Sequence, residues 1–338
     1  MTVLIVTRSL DNEAPQRVAQ AVEARGERVY RFDTDLFPTD LRLALDEGGG
    51  GRLSGPEGVL ELAEVSAVWY RRGATGARIP QEMNPQLRAP SVEESRRVVH
   101  GMLAALGAFQ LDTIEHVRRA EHKPLQLGLA RALGLEVPRT LTTNDPEAVR
   151  AFAGRCPGGV VTKMMSSFAV YDASGQEQVV FTTPLRPEDL EDLEGLDLCP
   201  MTFQERIAKA LELRVTVVGE QVMAAAIDSQ ALPGAREDWR RQGVALLEAW
   251  RPYTLPEPVR GRILALMDAL GLNYGAFDFI VTPEGRHVFL EVNPAGEFLW
   301  LMLHPGLPIA EALADVLVGR ASRRDGRRGG NPRIAGAL

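Results

Sequence analysis

The chain has 338 residues, which predicts two or three domains, and its 45% hydrophobic content is enough for a packed core and argues against disorder. The formal net charge of −7 argues against a dedicated nucleic-acid-binding protein, and no run of about 18 apolar residues indicates a membrane span. Cys156 and Cys199 are the two cysteines, too few for a disulfide framework or a cysteine-rich zinc site. We therefore expect a multi-domain cytoplasmic protein without a nucleic-acid or membrane partner.

The first domain is predicted over residues 1–115 and has an α/β pattern. Residues 3–6 are an apolar run typical of a buried strand, a helix with Val18 and Val22 on its apolar face follows, and residues 28–32 predict a second strand. The turn after the first strand contains no glycine, so the close backbone approach that a dinucleotide pyrophosphate needs is missing. A dinucleotide site is therefore rejected here.

Further features of this domain have a plain structural explanation. The glycines at 48–51 are not followed by the Lys-Ser/Thr of a phosphate loop, and they predict a flexible hairpin turn between strands at 41–45 and 59–62. Arg71 and Arg72 end a predicted strand and are expected to be exposed, either as solvated charge or as a contact for an anion or a peptide. Ser91 with Glu94 has the pattern of a capping box, which predicts a helix that starts there and runs to about residue 109.

Two lysines in the middle of the chain are candidates for phosphate binding. Lys123 opens a predicted helix, where the macrodipole disfavours a positive charge unless an anion is shared by the lysine and the helix end. Lys163 lies inside an apolar strand predicted over 160–165, where a buried ammonium needs a partner. The alternatives are an exposed lysine without a function at 123 and a structural carboxylate partner at 163.

The last third carries a strand with polar positions on one face and a hairpin with opposed acids. Residues 212–218 alternate strictly, so Glu212 and Arg214 share a face, where they can simply pair with each other. In the hairpin over 274–294, pairing residue 282 with 287 also pairs Asp278 with Glu291 and leaves Asn293 on the same face. Opposed carboxylates are destabilising unless a positive charge lies between them, and their oxygens with an amide oxygen suit Mg²⁺. The alternative is an exposed hairpin with solvated acids.

In this order along the chain, these features resemble ATP-grasp ligases. The resemblance implies a fold class of α/β and α+β, in which an N-terminal α/β domain precedes two subdomains, at 116–200 and 201–320, that hold ATP between them. It implies ATP and Mg²⁺ as cofactors, with two metal ions. The implied ATP ligands are Lys123, Lys163, Gln204, Glu205, Ile207 and Glu212, and the implied metal ligands are Asp278, Glu291 and Asn293.

A narrower resemblance over about residues 1–320 is to graspetide synthetases, the microviridin-type maturases that macrocyclise ribosomal precursor peptides. It is carried by the stretches VWYRR (68–72), HKPLQLGLARALGLEVPRTLTTND (122–145), QERIAKALELRVTVVG (204–219), DWR (238–240), LGLNYGAFDFIVTPEG (270–285) and FLEVNPAGEFLWL (289–301). Glu297 departs from the family, because glutamine is common there, and the loop after Lys163 is not glycine-rich.

The resemblance implies an ADP-forming ligase whose substrate is a precursor peptide with a leader and a core. The γ-phosphate of ATP would activate an Asp or Glu side chain, and a Ser/Thr hydroxyl or a Lys amine would attack the acyl-phosphate to give an ω-ester or ω-amide. Arg214 is the first candidate for holding the acyl-phosphate oxygens and the developing oxyanion, Arg240 is the second, and Glu297 is the candidate for the general base. We expect the leader to bind around 165–195 and residues 321–338 to form a basic tail without a fold.

Other interpretations stay open at this point. The same site chemistry allows an ATP-grasp ligase that acts on free amino acids or on a protein C-terminus. A nucleotide-binding regulator without ligase activity is a further alternative. The oligomeric state is also open, with a homodimer as one arrangement.

Overall fold

The computed structural model describes residues 1–48, 50–163, 169–171, 177–179, 182–231 and 247–324. The N-terminal part contains β1 (Thr2–Thr7), α1 (Ala14–Glu23), β2 (Arg28–Asp33), β3 (Arg42–Leu45), β4 (Gly51–Gly55), β5 (Gly58–Glu61), β6 (Val65–Tyr70), α2 (Pro85–Ala105) and β7 (Phe109–Gln110), with short 3-10 helices at Thr34–Leu36 and Leu62–Glu64. The main sheet has the order β2-β1-β6-β7, and all its pairs are parallel. The predicted α/β character of this domain is confirmed.

Two local predictions in this domain are wrong in their bounds. The glycine run is followed directly by a strand, so β3, β4 and β5 form a three-stranded antiparallel meander instead of one hairpin. Gly51 has a φ of 143°, and a Cβ there would overlap the Ala44 carbonyl oxygen, which explains the glycine. Helix α2 starts before Ser91, because Asn84 caps it by accepting the backbone N–H of Gln86 at 3.0 Å.

The middle part builds a second, antiparallel sheet. It contains α3 (Ile114–Ala120), α4 (Lys123–Ala132), β8 (Thr140–Thr143), α5 (Pro146–Ala153), β9 (Val160–Lys163), β10 (Ala169–Tyr171), β11 (Glu177–Val179), β12 (Thr183–Pro184), α6 (Pro187–Glu191) and β13 (Met201–Glu205). The sheet order is β12-β9-β13-β8, and α5 covers one face by packing Val149 and Phe152 against Phe203. Because side chains alternate along a strand, the residues next to Phe203 point to the opposite face.

The C-terminal part forms a third sheet, of five antiparallel strands. It contains β14 (Leu211–Val218), β15 (Gln221–Ile227), β16 (Arg251–Tyr253), α7 (Glu257–Leu270), β17 (Tyr274–Val281), β18 (His287–Asn293), α8 (Leu299–Leu303) and α9 (Ile309–Leu317), and its order is β16-β15-β14-β17-β18. Helix α7 covers one face with Leu266 and Met267 against a cluster of phenylalanines. Helix α9 packs against α1 and β6, so the N-terminal and C-terminal parts share one core.

A bulge in the last hairpin decides which side chains face outward. Val281 pairs with His287, one residue away from the predicted register, and the pairing shifts between Asp278 and Phe279. The shift makes Leu290 an extra residue and restores the predicted pairing of Asp278 with Glu291. Without the bulge Phe289 would lie on the face of Glu291, whereas it is fully buried in the core beneath the sheet.

The segment after α9 is folded at its start. The guanidinium of Arg323 lies 3.9 Å from the centre of the Phe109 ring, and Arg324 Nε lies 2.5 Å from Asp268 Oδ1. The expectation of a tail without a fold from residue 321 onwards is therefore wrong for residues 321–324. Residues 325–338 lie outside the described part of the chain.

Candidate active site

Strands β14, β17 and β18 present their polar side chains on one face, towards a cleft of about 780 Å³. Glu212 and Arg214 line this cleft, while Leu213 and Val215, which alternate with them, are buried on the α7 side, as the alternation predicted. The strand register places Arg214 opposite Asp278 and Asp278 opposite Glu291. Asn293 lies one step further along the same face, so the predicted metal ligands are brought together.

Two basic side chains balance the opposed acids. Arg214 Nη1 lies 2.9 Å from Asp278 Oδ1, and Lys123 Nζ lies 2.9 Å from Glu291 Oε2 and 3.3 Å from Asn293 Oδ1. Glu212 pairs instead with Lys209 at 2.9 Å, so the simple Glu212–Arg214 pair is ruled out. The positive charges that opposed carboxylates require are supplied by residues from α4 and β14.

Glu291 is held in its charged form. Burial by itself raises the pKa of this carboxyl group, but the charges of Lys123 and Lys163 and a hydrogen bond from Asn293 lower the pKa to about 2. Lys123 is the first residue of α4, so the helix start adds partial positive charge on the same side. The carboxylate is therefore ionised at neutral pH and available to a cation.

The donor set fits Mg²⁺ rather than a metal held by protein ligands alone. Within the described residues no group of three or more His, Cys, Asp or Glu side chains comes together as a metal site. Asp278, Glu291 and Asn293 supply two carboxylates and an amide oxygen that all line the cleft. Mg²⁺ usually binds one or two carboxylates and completes its octahedron with water and substrate phosphates, so this incomplete set suits it.

The opposite wall of the cleft comes from the middle sheet. Val161, Lys163 and Gln204 line it, and Gln204 is buried with its Nε2 donating to Thr140 Oγ1 at 3.1 Å. Across the cleft, Ile280 and Leu290 provide an apolar surface. The bulge is what turns Leu290 towards the cleft together with Glu291. A ligand with a flat apolar ring at one end and a negatively charged group at the other could place its ring between these walls and its charged group near the lysines.

The segment that joins the two walls carries the residues predicted to bind adenine and ribose. The backbone N–H of Glu205 donates to the Arg139 carbonyl at 2.9 Å, which fixes the end of β13. Ile207 and Glu212 line the cleft beside it. These residues all line the same cleft, and their individual contacts with the nucleotide stay predictions.

Arg214 is a buried cation that also lines the cleft. It is 8% exposed, and besides Asp278 it contacts Glu297, whose backbone carbonyl accepts from Nη2 at 3.1 Å. Burial by itself lowers the pKa of Arg214, but the neighbouring Asp278 raises it, so the guanidinium stays charged. Its Nε has no hydrogen-bond partner within the described part of the chain.

The prediction that Arg71 is exposed is wrong. Arg71 is 4% exposed; its Nε lies 2.9 Å from Asp11 Oδ2, and its Nη2 lies 2.8 Å from Glu297 Oε2. Asp11 follows β1 and Arg71 follows β6, and the carboxyl ends of neighbouring parallel strands meet at one sheet edge, so this pair had a sequence signal. The contact with Glu297, 226 residues away, had none.

The contacts of Glu297 also test the prediction that this residue is the general base. Burial by itself raises the pKa of Glu297, but Arg71 and the backbone N–H groups of Phe298 and Leu299 lower it. A carboxylate held by an arginine and two backbone donors is a weaker base than a free glutamate. The geometry therefore argues against Glu297 as the base.

Two predicted regions cannot be placed in the site. Arg240, the second candidate for the oxyanion, lies outside the described residues. The leader-binding region at 165–195 is described only in part, as the paired strands β10 and β11 and the chain from residue 182 onwards. Strands β10 and β11 pair antiparallel, and residues 172–176 between them lie outside the described residues.

An α/β domain followed by two antiparallel sheets that face each other across a cleft, with Lys163 on one wall and, on the other, carboxylates paired with Lys123 and Arg214, defines an ATP-grasp enzyme. Residues 2–118 match the family model described as the MvdD pre-ATP grasp domain. No curated protein matched the chain. No helix within the described ranges is both long and apolar enough to cross a membrane.

Solved structures of peptide-modifying ligases match almost the whole chain. The macrocyclase MdnC from Microcystis aeruginosa MRC, bound with the precursor peptide MdnA, is 51% identical over 94% of this chain and 100% of its own, with a TM-score of 0.86. A RiPP-associated ATP-grasp ligase from Chryseobacterium gregarium, in complex with ADP and a leader and core peptide, is 38% identical over 96% and 98%, with a TM-score of 0.91. The ATP-grasp ligase PsnB, complexed with a phosphomimetic variant of a minimal precursor, Mg and ADP, is 26% identical over 94% and 98%, with a TM-score of 0.74. The chain belongs to the family of RiPP ATP-grasp macrocyclases.

Proposed function

We propose that this protein is an ATP-dependent macrocyclase that joins Asp or Glu side chains of a ribosomal precursor peptide to Ser/Thr hydroxyls, as ω-esters, or to a Lys amine, as an ω-amide. The observation that carries the proposal is the cluster of Asp278, Glu291 and Asn293 facing Lys123 and bordered by Arg214. It offers metal ligands and phosphate-binding cations beside a buried guanidinium. The relatives that were solved with precursor peptides support a peptide as the substrate.

ATP and Mg²⁺ are the proposed cofactors, and PsnB bound to ADP and Mg supports both. Lys123 and Lys163 would contact the phosphates, while Gln204, Glu205, Ile207 and Glu212 would surround the base and the ribose. Asp278, Glu291 and Asn293 would hold Mg²⁺, two ions in our proposal, which neutralises phosphate charge when bound. In binding ATP, Lys123 would exchange its partner Glu291 for phosphate oxygens.

The reaction would proceed in two steps. A carboxylate oxygen of the peptide attacks the γ-phosphorus, the bond to ADP breaks, and an acyl-phosphate forms. A hydroxyl or amine of the same peptide then attacks the acyl carbon, loses its proton and displaces phosphate. Each ring therefore lowers the mass of the peptide by one water. Positioning and charge neutralisation account for most of the catalysis in such a transfer.

Arg214 would act at the acyl group. Its terminal nitrogens each carry a second N–H beyond those used by Asp278 and the Glu297 carbonyl, and the side chain lines the cleft. These donors could hold the acyl-phosphate oxygens and the oxyanion of the second step. Arg240 remains the second candidate, and the region of 165–195 remains the proposed site for the leader.

Mass spectrometry of a peptide encoded beside this gene tests the proposal. Such a precursor would have a leader followed by Thr/Ser and Asp/Glu repeats. With the enzyme, ATP and Mg²⁺ we expect its mass to fall by about 18 daltons for each ring, together with ADP release. ADP release with free amino acids and none with the peptide would favour a ligase for small substrates instead.

A further inference from the structure

We propose that Arg71 of the N-terminal domain is a positioning residue for Arg214 and that it acts through Glu297 and the loop of residues 294–298. The inference rests on the proposed function, since it assigns Arg214 to the reacting acyl group. It gives the N-terminal domain a part in turnover, and it replaces the role of general base for Glu297.

The side chain of Arg71 is held in place by an ion pair and by two aromatic rings. Its guanidinium pairs with Asp11, whose side chain is fully buried and also accepts from Thr7 Oγ1 at 2.6 Å. The same guanidinium lies 5.6 Å from the Trp69 ring centre and 5.2 Å from that of Phe298. Such a clamped arginine has little rotamer freedom left, so it can hold a partner at a set position.

Glu297 connects the guanidinium of Arg71 to the backbone of the loop of residues 294–298. Its Oε2 accepts from Arg71 at 2.8 Å and from Arg72 at 2.5 Å. Its Oε1 accepts the backbone N–H groups of Phe298 at 3.0 Å and Leu299 at 3.2 Å. One carboxylate therefore ties the start of α8 to two arginines of the N-terminal domain.

The loop in turn supports Arg214 directly. The Glu297 carbonyl accepts from Arg214 Nη2 at 3.1 Å, and a Cβ on Gly296 would lie only 2.9 Å from the same nitrogen. Tyr274 adds a second tie by donating its hydroxyl to the Gly296 carbonyl at 2.7 Å. Because the guanidinium lies against the loop backbone, a shift of the loop displaces Arg214 from the cleft and from Asp278.

Two substitutions at one position separate positioning from proton transfer. Glu297→Gln keeps one oxygen that can accept from Arg71, loses the second acceptor that binds the backbone N–H groups of Phe298 and Leu299, and cannot act as a base, whereas Glu297→Ala removes the whole tie. If Glu297 only positions the loop, Glu297→Gln keeps kcat within about fivefold of the wild type and Glu297→Ala lowers it by about tenfold or more. A general base would instead lose about 10²–10⁴ in kcat with the glutamine.

Arg71→Gln tests the same link from the other side. We expect a loss of kcat similar to that of Glu297→Ala, with the KM for ATP within about twofold of the wild type, and no further loss in the double variant. The matched control is Arg28→Gln, which removes another arginine–carboxylate pair of this domain, with Glu64 at 3.3 Å, far from the cleft. Unchanged kcat in Glu297→Ala, or additive losses in the double variant, would overturn the proposal.

Hydrogen exchange provides a readout that needs no peptide substrate. In Glu297→Ala, and in Arg71→Gln if it folds, amides of residues 295–299 should exchange at least about tenfold faster than in the wild type, while those of β1 stay unchanged. Wild-type exchange in that loop would contradict the positioning role even if the enzyme proved to have another substrate. Failure of the wild type to remove water from the precursor would contradict the proposed function alone.

Discussion

Arg214 combines burial, charge and access to the cleft in one side chain. Replacing it with alanine removes the donors proposed for the oxyanion but leaves the lysines and the nucleotide wall intact. We expect Arg214→Ala to bind ATP as the wild type does and to lose about 10²–10³ in kcat. ATP binding by calorimetry and ring formation by mass spectrometry measure the two effects separately.

Arg214→Lys is the informative companion variant. Lysine keeps the positive charge, but a single ammonium lacks the planar fork that reaches both Asp278 and the Glu297 carbonyl. We expect turnover between those of the wild type and the alanine variant. Wild-type turnover in Arg214→Ala would remove the proposed role.

Glu297 gives the protein a predictable dependence of stability on pH. Burial opposes the charged carboxylate, but Arg71 and the backbone donors lower its pKa below the ordinary value of 4.5. A group with a lowered folded-state pKa contributes stability that is fully present above the unfolded-state pKa and is lost as pH falls through the folded-state pKa. Melting temperatures between pH 7 and about pH 3 should therefore fall less steeply in Glu297→Gln than in the wild type, and parallel curves would contradict the ion pairing.

The last hairpin determines the site through its bulge. The sequence was enough to predict that Asp278 faces Glu291, because both lie in strands joined by a short turn. It did not predict the extra residue Leu290, since alternation of apolar and polar residues cannot distinguish a bulge from a shifted register. Packing decides between them: the bulge buries Phe289 with the other core phenylalanines and turns Leu290 to the cleft.

Gly296 allows a test of how closely the loop of residues 294–298 packs against the C-terminal sheet. A Cβ at this position would lie 2.5 Å from the Ala276 Cβ and 2.9 Å from Arg214 Nη2, so something must move. We expect Gly296→Ala to lower the free energy of unfolding by about 1–3 kcal/mol and to reduce kcat. Gly261→Ala is the control, because Gly261 lies within α7 with nothing within 4 Å of a Cβ and should stabilise by about 0.5–1 kcal/mol. A neutral Gly296→Ala would contradict the close packing.

At the scale of the whole molecule, the folded residues after α9 connect parts that are distant in sequence. Arg324 pairs with Asp268 of α7 and donates to the Gly219 carbonyl, while Asn273 bonds to its backbone. We expect Arg324→Ala to reduce the free energy of unfolding by about 1–3 kcal/mol, as judged by denaturant titration. Arg320→Ala, which removes one exposed bond to the Arg25 carbonyl at 2.9 Å, should cost less than about 0.5 kcal/mol.

The two later subdomains and the set of ATP ligands rest on the resemblance to ATP-grasp ligases. The α/β character of the first domain, the shared face of Glu212 and Arg214, and the pairing of Asp278 with Glu291 could be predicted because each depends on a local pattern, either strand alternation or a short hairpin. The contacts that join the domains could not. Arg71 with Glu297 and Arg324 with Asp268 link positions far apart in the chain, and a charged residue in a loop looks solvated until its partner is known. The same reason explains why the start of the expected tail was misjudged.

The metal ligands are the central claim, and isosteric variants test it most directly. Asp278→Asn and Glu291→Gln keep the size of each side chain and remove one negative charge, so Arg214 and Lys123 retain an oxygen partner and the fold should persist. Incubated with the precursor, ATP and Mg²⁺, the wild type should remove about 18 daltons per ring, and both variants should leave the peptide mass unchanged. Water loss in either variant at the wild-type rate would contradict the assignment of these residues to the metal.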